Sequence, residues 1–294
     1  MDSSNNTFQS FSDKWHKNKG LAFANTLNEN SDIFKWILNR NGFDNVEDFR
    51  NYISSKTRIL DAGCGNGRVS ALLRTYSDPV TTSIVCIDLT AADVARENLK
   101  DYSNIVVKEK DLLSDLADLG KFDFIYCQEV LHHTGNAEEA FRNLCGLLDK
   151  KGEIAIYVYK KKAPVREFVD DYIRTKIAGM DYNEAMEHCR QITEFAKVLV
   201  EQKIKIKTPR IDLLEIEEGE YDLQRFIYYF FMKCFWNEEF SFEENAVINF
   251  DWYHPQNCTR HTLEEVRAWF KENNLIINHE FVDPYGITIR GIRS

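Results

Sequence analysis

The fold of this chain is decided by a glycine-rich stretch, Asp61-Ala62-Gly63-Cys64-Gly65-Asn66-Gly67-Arg68. The pattern predicts a short apolar strand before it, at 57–60, and a helix after it, at 67–77. Glycine adopts φ values that other residues avoid, so alternating glycines let the backbone turn sharply and bring its amides against a ligand. The helix N-terminus behind such a loop suits an anion, because it carries partial positive charge and unpaired N–H groups.

An acidic residue closes the second predicted strand. Asp88 follows a strand at 82–87, roughly 20 residues beyond the glycine loop, where a carboxylate accepts hydrogen bonds from a ribose diol. Further strands are predicted at 105–108, 122–127 and 153–159, with helices at 90–100 and 136–149 between them. Strands that alternate with helices predict a parallel sheet with helices on both faces.

With these landmarks, residues 57 to about 160 resemble a class I S-adenosylmethionine-dependent methyltransferase. The glycine loop matches the family's first motif, Asp88 its acidic strand end, Asp111-Leu112 its adenine contact, and 122–133 its strand-4 motif. The resemblance implies a Rossmann-like, seven-stranded, mostly parallel sheet with an antiparallel last strand, and S-adenosylmethionine as cofactor. It implies that the cofactor contacts are Asp61, Gly63, Cys64, Gly65, Gly67, Asp88, Leu89, Asp111, Leu112 and Glu129.

Two other nucleotide-binding loops are disfavoured. No Gly-Lys-Ser or Gly-Lys-Thr follows the loop, which counts against a phosphate-binding P-loop. The glycines alternate, whereas a dinucleotide-binding loop has the spacing Gly-x-Gly-x-x-Gly, so a hydride-transfer enzyme is poorly supported. S-adenosylmethionine has no pyrophosphate, so the anion at the helix N-terminus would be its methionyl carboxylate.

The chain divides by pattern into a core and two additions. The core is predicted at 51–162 and 259–294, ending in a helix at 263–272 and a hairpin of strands 275–282 and 287–292. Residues 1–50 are interpreted as an N-terminal helical lid, with 1–6 a frayed tail rather than a secretion signal. Residues 163–258 are interpreted as a helical cap with helices at 165–178, 182–202 and 220–236. Residues 11–15 and 252–255 resemble those of a bacterial, small-molecule-type subgroup with such an insertion after strand 5.

The predicted cap is the main indication of the substrate. Ligands of open α/β sheets bind beyond the carboxyl ends of the strands, so a segment leaving strand 5 begins at that edge and can enclose a small acceptor. The cap is dense in large aromatics, namely Phe226, Tyr228, Tyr229, Phe230, Phe231, Phe235 and Trp236. Core packing within the cap is the favoured explanation for most of these aromatics, and a homodimer surface is a second alternative.

Methyl transfer needs an aligned nucleophile and a dry site, and an oxygen acceptor also needs a base. The candidates for catalysis are His132 and His133, at the end of the strand-4 motif, and Tyr157 on strand 5. The candidates for substrate binding are Tyr159, Trp252, Tyr253 and His254. Plain packing or loop capping is the alternative for each of these residues.

Composition narrows the class of partner. A formal charge of −10 disfavours a nucleic-acid substrate, because nucleic-acid binders usually present a basic face. The basic runs at 160–162 and 203–207 are typical of solvated surface, although the first also suits an anionic substrate. No stretch approaches the ~18 apolar residues of a membrane span. Seven scattered cysteines without a Cys-x-x-Cys pair predict buried thiols in a cytoplasmic protein, and no metal site.

The sequence therefore predicts an S-adenosylmethionine-dependent methyltransferase that transfers a methyl group in line to an oxygen or nitrogen of a small molecule beneath a helical cap. Two alternatives stay open. One is a methyltransferase acting on protein or RNA, although the nucleic-acid amino-group motif Asn/Asp-Pro-Pro-Tyr is replaced by Gln128-Glu129-Val130-Leu131. The other is a non-catalytic, cofactor-binding regulatory subunit.

Overall fold

A seven-stranded sheet is the main feature of the computed structural model, which describes residues 3–294. The strands of these residues are β1 (Arg58–Ala62), β2 (Ser83–Asp88), β3 (Ile105–Glu109), β4 (Phe122–Gln128), β5 (Leu148–Tyr159), β6 (Lys205–Thr208), β7 (Gly219–Asp222), β8 (Leu275–Val282) and β9 (Gly286–Arg293). The large sheet has the order β3-β2-β1-β4-β5-β9-β8. Strands β1 to β5 pair in parallel, and β9 is antiparallel to both neighbours. The predicted Rossmann-like, mostly parallel sheet is confirmed.

The helices of the described residues are α1 (Ser3–Lys17), α2 (Phe23–Leu27), α3 (Asp32–Arg40), α4 (Val46–Ser54), α5 (Arg68–Tyr76), α6 (Ala92–Asn98), α7 (Ala137–Gly146), α8 (Pro164–Ile177), α9 (Tyr182–Glu201), α10 (Leu223–Phe230), α11 (Phe242–Tyr253) and α12 (Leu263–Glu272). The prediction of a helix at 220–236 is wrong at both ends, because β7 precedes α10 and an irregular segment follows it. The sequence analysis did not predict α11.

Hydrophobic residues cover both faces of the sheet, because neighbouring residues of a strand point to opposite sides. On β1, Leu60 belongs to a cluster with side chains of α7 and α12. The preceding Ile59 belongs to a second cluster, with side chains of α3, α4 and α5. Helices therefore pack on both faces of the sheet.

The chain divides into two compact units. The first contains Trp15–Lys160 and Thr259–Ser294, and therefore the whole seven-stranded sheet. The second contains the described residues up to Lys14 together with Lys161–Cys258, which form α8 to α11 and the antiparallel pair β6–β7. Residues predicted to form one N-terminal lid are thus divided between the units, and the role of 163–258 as a cap stays a prediction.

The N-terminal segment is ordered as a helix from Ser3 onward. Within the second unit, Asn6 donates a hydrogen bond to the carbonyl of Ala178 at 2.6 Å, and Lys14 pairs with Asp251 at 2.9 Å. The expectation of a frayed tail at 1–6 is therefore wrong from residue 3, because these contacts hold the first turns. Met1 and Asp2 lie outside the described residues.

Candidate active site

The glycine loop joins β1 to α5 with three left-handed residues. Gly63, Gly65 and Gly67 have φ of 80°, 54° and 85°, a region that side chains disfavour. A Cβ on Gly65 would lie 2.7 Å from Cζ2 of Trp15, so the indole packs directly on the loop backbone. The amides of Gly63 and Cys64 donate to the carbonyl of Ile87, at 2.7 and 3.0 Å, and these bonds hold the loop against the end of β2.

Asp88, the last residue of β2, is bonded to the same loop. Its Oδ2 accepts a hydrogen bond from the Gly65 amide at 2.9 Å. Its Oδ1 accepts three, from the amide and hydroxyl of Thr90 and the amide of Ala91. A carboxylate oxygen accepts about two hydrogen bonds, so Oδ2 retains capacity for one further donor. A half-buried carboxylate held in this way by its neighbours is a prepared acceptor for a hydroxyl group.

Asp61 is buried beneath the loop. Its Oδ2 accepts a hydrogen bond from the Ser70 hydroxyl at 2.5 Å, which links β1 to α5. Burial raises the pKa of Asp61 to about 7, and the nearby Asp88 carboxylate adds to the shift, while the Ser70 hydrogen bond opposes it. The thiol of Cys64 is also buried, and its pKa is raised well above the ordinary value by a hydrogen bond with Cys86 and by burial.

Two leucines and a carboxylate lie at the ends of β2 and β3. Leu89 leaves 40% of its surface exposed directly after Asp88, whereas Leu112 is buried. Asp111 accepts a hydrogen bond from the Leu113 amide through Oδ1 at 2.9 Å, which fixes the turn after β3. Apolar surface beside a fixed carboxylate is suited to a flat base with amino groups.

Glu129 follows β4 in a left-handed conformation, with φ of 67°. This conformation is uncommon outside glycine and is often found at functional sites. Its Oε2 lies 3.1 Å from Nη2 of Arg68 and 3.8 Å from Nη2 of Arg40. Two arginines with one carboxylate leave a net positive charge here, so the group can accept an anion, and Glu129 can pair with an ammonium.

Arg40 is a functional candidate that the sequence analysis missed. It is 1% exposed, and its guanidinium lies 3.8 Å from the ring centroid of Trp36 and 4.8 Å from that of Tyr157. Its Nη2 donates to the Tyr126 hydroxyl at 3.4 Å, while Nε and Nη1 have no hydrogen-bond partner among residues 3–294. The only signal in the sequence is a charge on the apolar face of α3, three residues after Ile37.

The predicted catalytic residues lie together at the ends of β4 and β5. His132 is fully buried and stacks on Tyr159 with ring centroids 3.6 Å apart, and its Nδ1 accepts the Tyr159 amide at 3.3 Å. The ring of His133 lies 4.3 Å from that of His132 and 5.5 Å from that of Tyr159. Tyr157, which is 2% exposed, is 6.3 Å from His132. The Tyr159 amide thus occupies Nδ1 of His132.

The sequence matches the model of a known protein family. A family model of a methyltransferase domain matches residues 53–199, which run from the end of α4 through most of α9. The chain belongs to this methyltransferase family. Methyltransferases of this class, class I, use S-adenosylmethionine as cofactor.

Individual relatives match this methyltransferase over shorter stretches. The ubiquinone biosynthesis O-methyltransferase of Glaesserella parasuis is 30% identical over 124 residues, which cover 38% of this chain and 52% of that protein. The juvenile hormone acid O-methyltransferase of Bombyx mori is 28% identical over 133 residues, covering 42% and 48%. The methyltransferase thus spans about half the length of these relatives.

The fold also resembles that of a solved structure, PKMT2 from Rickettsia typhi. The two structures superpose with a TM-score of 0.54 and 14% sequence identity, over 83% of this chain and 53% of the PKMT2 chain. This resemblance shows the fold alone.

The residues of the methyltransferase fit the three parts of its cofactor. The spare capacity of Asp88 Oδ2 suits a ribose hydroxyl, and the apolar surface of Leu89 suits the adenine. The Glu129, Arg68 and Arg40 group carries both signs of charge, as the methionyl ammonium and carboxylate require. Gln128, at the end of β4, is occupied otherwise, because its side-chain amide bonds Asn41 and the Tyr126 hydroxyl.

The predicted substrate residues Trp252, Tyr253 and His254 lie in the second unit of the methyltransferase, at the end of α11, and all three are buried. The indole of Trp252 and the hydroxyl of Tyr253 both donate to the Asp170 carboxylate at 2.8 Å. Nε2 of His254 lies 3.0 Å from the Met180 carbonyl, and burial lowers the pKa of this imidazole. These contacts hold α11 against α8, and a substrate role for the three residues stays a prediction.

Residues 3–294 contain no group of three or more His, Cys, Asp or Glu side chains arranged to hold a metal ion. None of their helices has the length and apolar character needed to cross a bilayer. All seven cysteines are buried.

Proposed function

We propose that this methyltransferase transfers the methyl group of S-adenosylmethionine to an oxygen or nitrogen atom of a small molecule. The proposal is carried by Asp88, whose carboxylate is bonded to the Gly65 amide and keeps capacity for one more donor. A carboxylate at the end of the second strand, tied to a glycine loop, is an arrangement that recognises a ribose diol. Membership of the methyltransferase family supports the reaction type.

Each part of the cofactor has candidate partners in the first unit. In this proposal Asp88 accepts the ribose hydroxyls, while Leu89, Leu112 and Asp111 hold the adenine. Gly63, Gly65 and Gly67 keep the loop free of side chains, and Asp61 and Cys64 brace it from the buried side. Glu129 pairs with the methionyl ammonium, and Arg68 and Arg40 pair with the carboxylate. The bound cofactor supplies a sulfonium whose methyl group is already activated for displacement.

The protein then needs only to align the acceptor, exclude water and remove a proton. Alignment alone contributes ~7–11 kcal/mol to lowering such barriers. The contacts favour His133 over His132 as the base, because Nδ1 of His132 is occupied by the Tyr159 amide and its ring is fully buried. His132 then acts as a positioning residue that packs against His133. Tyr157 and Tyr159 form the aromatic wall behind the two histidines.

The names of two relatives support an oxygen atom of a small molecule as the acceptor. They are O-methyltransferases named for ubiquinone biosynthesis and for juvenile hormone acid. The net charge of −10 supports a small molecule over RNA, since RNA binders usually present a basic face. Methylation of protein, methylation of RNA, or no methyl transfer at all would contradict a small-molecule acceptor.

Isothermal titration with S-adenosylmethionine tests the cofactor assignment. Asp88→Ala is expected to weaken binding about tenfold or more, because charge-assisted hydrogen bonds to the ribose are lost. Asp101→Ala, which changes an exposed carboxylate of the same unit, is the matched control and should bind as the parent does. Equal affinity for the Asp88 variant and the parent would remove the ribose assignment.

The acceptor is tested by incubating the protein with a cell extract and S-adenosylmethionine labelled in its methyl group. Mass spectrometry of the small-molecule, protein and RNA fractions then shows where the label is. Label in a small molecule that disappears with Asp88→Ala is the expected result. Label confined to protein or RNA contradicts the acceptor class. Cofactor binding without any transfer identifies a regulatory subunit instead.

A further inference from the structure

Three cationic side chains gather inside the second unit, and we call Arg166, Arg225 and Lys233 the cation cluster. Arg166 is 1% exposed, Lys233 is 6% exposed and Arg225 is half-buried. The guanidinium groups of Arg166 and Arg225 lie over the same ring, that of Tyr228, at 4.5 and 5.7 Å from its centroid. Arg166 and Lys233 share a second ring, that of Trp252, at 5.3 and 5.0 Å. Buried cations are therefore held close together in a protein whose overall charge is strongly negative.

The one carboxylate buried among them, Asp170, has no capacity left. Its Oδ2 accepts from Nε of Arg166 and from the Trp252 indole, at 3.1 and 2.8 Å. Its Oδ1 accepts from the Tyr253 hydroxyl and the Lys233 amide, both at 2.8 Å. Two hydrogen bonds to each oxygen saturate a carboxylate. Asp170 thus balances one of the three charges, and further donors of the cluster need another partner.

The remaining N–H donors of the cation cluster have no carboxylate to pair with. Nη1 of Arg166 and Nη1 of Arg225 are buried atoms without a hydrogen-bond partner in residues 3–294. No carboxylate of the same residues lies within 4.0 Å of the Arg225 or Lys233 side-chain nitrogens. Burial lowers the pKa of Lys233 to about 8, and the charge of Arg166 adds to the shift, against the opposing effects of Asp251, Asp170 and Cys258. Buried guanidinium N–H donors without an acceptor are unfavourable, and the oxygens of an anion would satisfy them.

We propose that the cation cluster binds an oxyanion, a carboxylate or a phosphate, of a small molecule. Guanidinium groups present pairs of N–H donors that match both oxyanions.

Isothermal titration of the full chain, saturated with S-adenosylhomocysteine, tests the cluster with two probes. Inorganic phosphate reports on a phosphate site, and 4-hydroxybenzoate reports on a carboxylate site. We expect one of them to bind with 1:1 stoichiometry, and Arg225→Gln to weaken it about tenfold or more. Arg225 is the residue to change because it pairs with no carboxylate, so its removal leaves no buried charge behind. Arg190→Gln, an exposed arginine of the same unit, should bind as the parent does.

The proton balance of binding supplies a readout that a structural role would not change. An anion beside Lys233 raises the pKa of the amine, so binding near pH 8 should take up a fraction of a proton. Titrations in two buffers of different ionisation enthalpy measure this uptake, and Lys233→Met should abolish it.

Failure of both probes to bind the parent, or equal binding by Arg225→Gln and the parent, overturns the cluster as an anion site. Asp88→Ala separates this outcome from failure of the proposed function, because that variant should bind the cofactor more weakly and bind the probe as the parent does. Intact cofactor binding and methyl transfer without probe binding would contradict this inference alone.

Discussion

At the scale of single residues, Gly65 shows most directly why the loop cannot carry side chains. Its φ of 54° is unfavourable for other residues, and a Cβ there would lie 2.7 Å from the Trp15 ring. Gly65→Ala is therefore expected to lower the free energy of unfolding by about 1–2 kcal/mol from the backbone alone, and to weaken cofactor binding. Urea unfolding measures the first effect. Gly146→Ala is the control, because no atom lies within 4 Å of a Cβ at that helical position, and it should be neutral or slightly stabilising.

Asp61 gives a prediction about pH. Its pKa is about 7 in the folded chain and about 3.9 in an unfolded one. The folded state therefore binds more protons between these values. The contribution of Asp61 to stability is complete below about pH 4 and is lost as the pH rises through about 7.

Asp61→Asn removes this titration while keeping an oxygen that accepts from Ser70. The difference in unfolding free energy between the variant and the parent should grow in favour of the variant as pH rises from about 4 to 7, by up to ~1.4 kcal/mol per pH unit. Urea unfolding at pH 4.5, 6 and 7.5 measures it. A difference that does not change with pH would mean that the Asp61 carboxyl ionises normally in the folded protein.

At the scale of elements, α8 offers two neighbouring carboxylates in opposite surroundings. Asp170 is 1% exposed and accepts four hydrogen bonds, whereas Asp171 pairs with Arg174 with 52% of its side chain exposed. Asp170→Ala should lower the unfolding free energy by about 3–5 kcal/mol, because it leaves the Arg166 charge buried and unpaired. Asp171→Ala should lower it by no more than ~1 kcal/mol. Thermal unfolding of the two variants makes the comparison, and similar losses would show that Asp170 does not organise the second unit.

Elements with local signals are the ones the sequence predicts well. The helix predicted at 263–272 is α12, because a capping box at Thr262 fixes where it begins. By contrast, α11 was missed because buried Asn245 and Asn249 interrupt its apolar pattern, and their amides bond the chain near Phe235 and Asn237 instead of water. The β6–β7 pair was missed for a different reason. Each of its strands is only four residues long, and the helix predicted at 220–236 overlaps the second strand.

The same distinction explains which parts of the site were predictable. Asp88 and the glycines follow one another at fixed spacing on consecutive elements, and the structure places the Asp88 carboxylate 2.9 Å from the Gly65 amide. Arg40 acquires its role only when folding brings it from α3 to Glu129 and Tyr157, which lie at the ends of two other elements. The cation cluster likewise draws its members from α8, α10 and the segment after α10. Spacing along the chain predicts the first kind of contact and is silent about the second.

At the scale of the whole molecule, the net charge of −10 acts on ligands that differ in charge. S-adenosylmethionine carries a net charge of +1 near neutral pH, and S-adenosylhomocysteine, which lacks the sulfonium charge, is neutral overall. The field of the whole protein therefore attracts the substrate form of the cofactor and not the product form. This attraction is long-ranged, because it arises from charges spread over the surface.

Salt separates this effect from the local contacts. Raising the ionic strength from about 0.02 M to 0.5 M shortens the Debye length from ~20 Å to ~4 Å and screens the distant charges. Affinity for S-adenosylmethionine should then fall about threefold more than affinity for S-adenosylhomocysteine, an order-of-magnitude value for one unit charge in this field. The homocysteine form is the matched control, because both ligands use the same adenine, ribose and methionyl contacts. Competition titrations measure the two affinities. If both affinities fall equally with salt, only groups in contact with the sulfonium distinguish the two ligands. If the affinity for S-adenosylmethionine falls more steeply, the acidic surface itself favours binding of S-adenosylmethionine and release of S-adenosylhomocysteine.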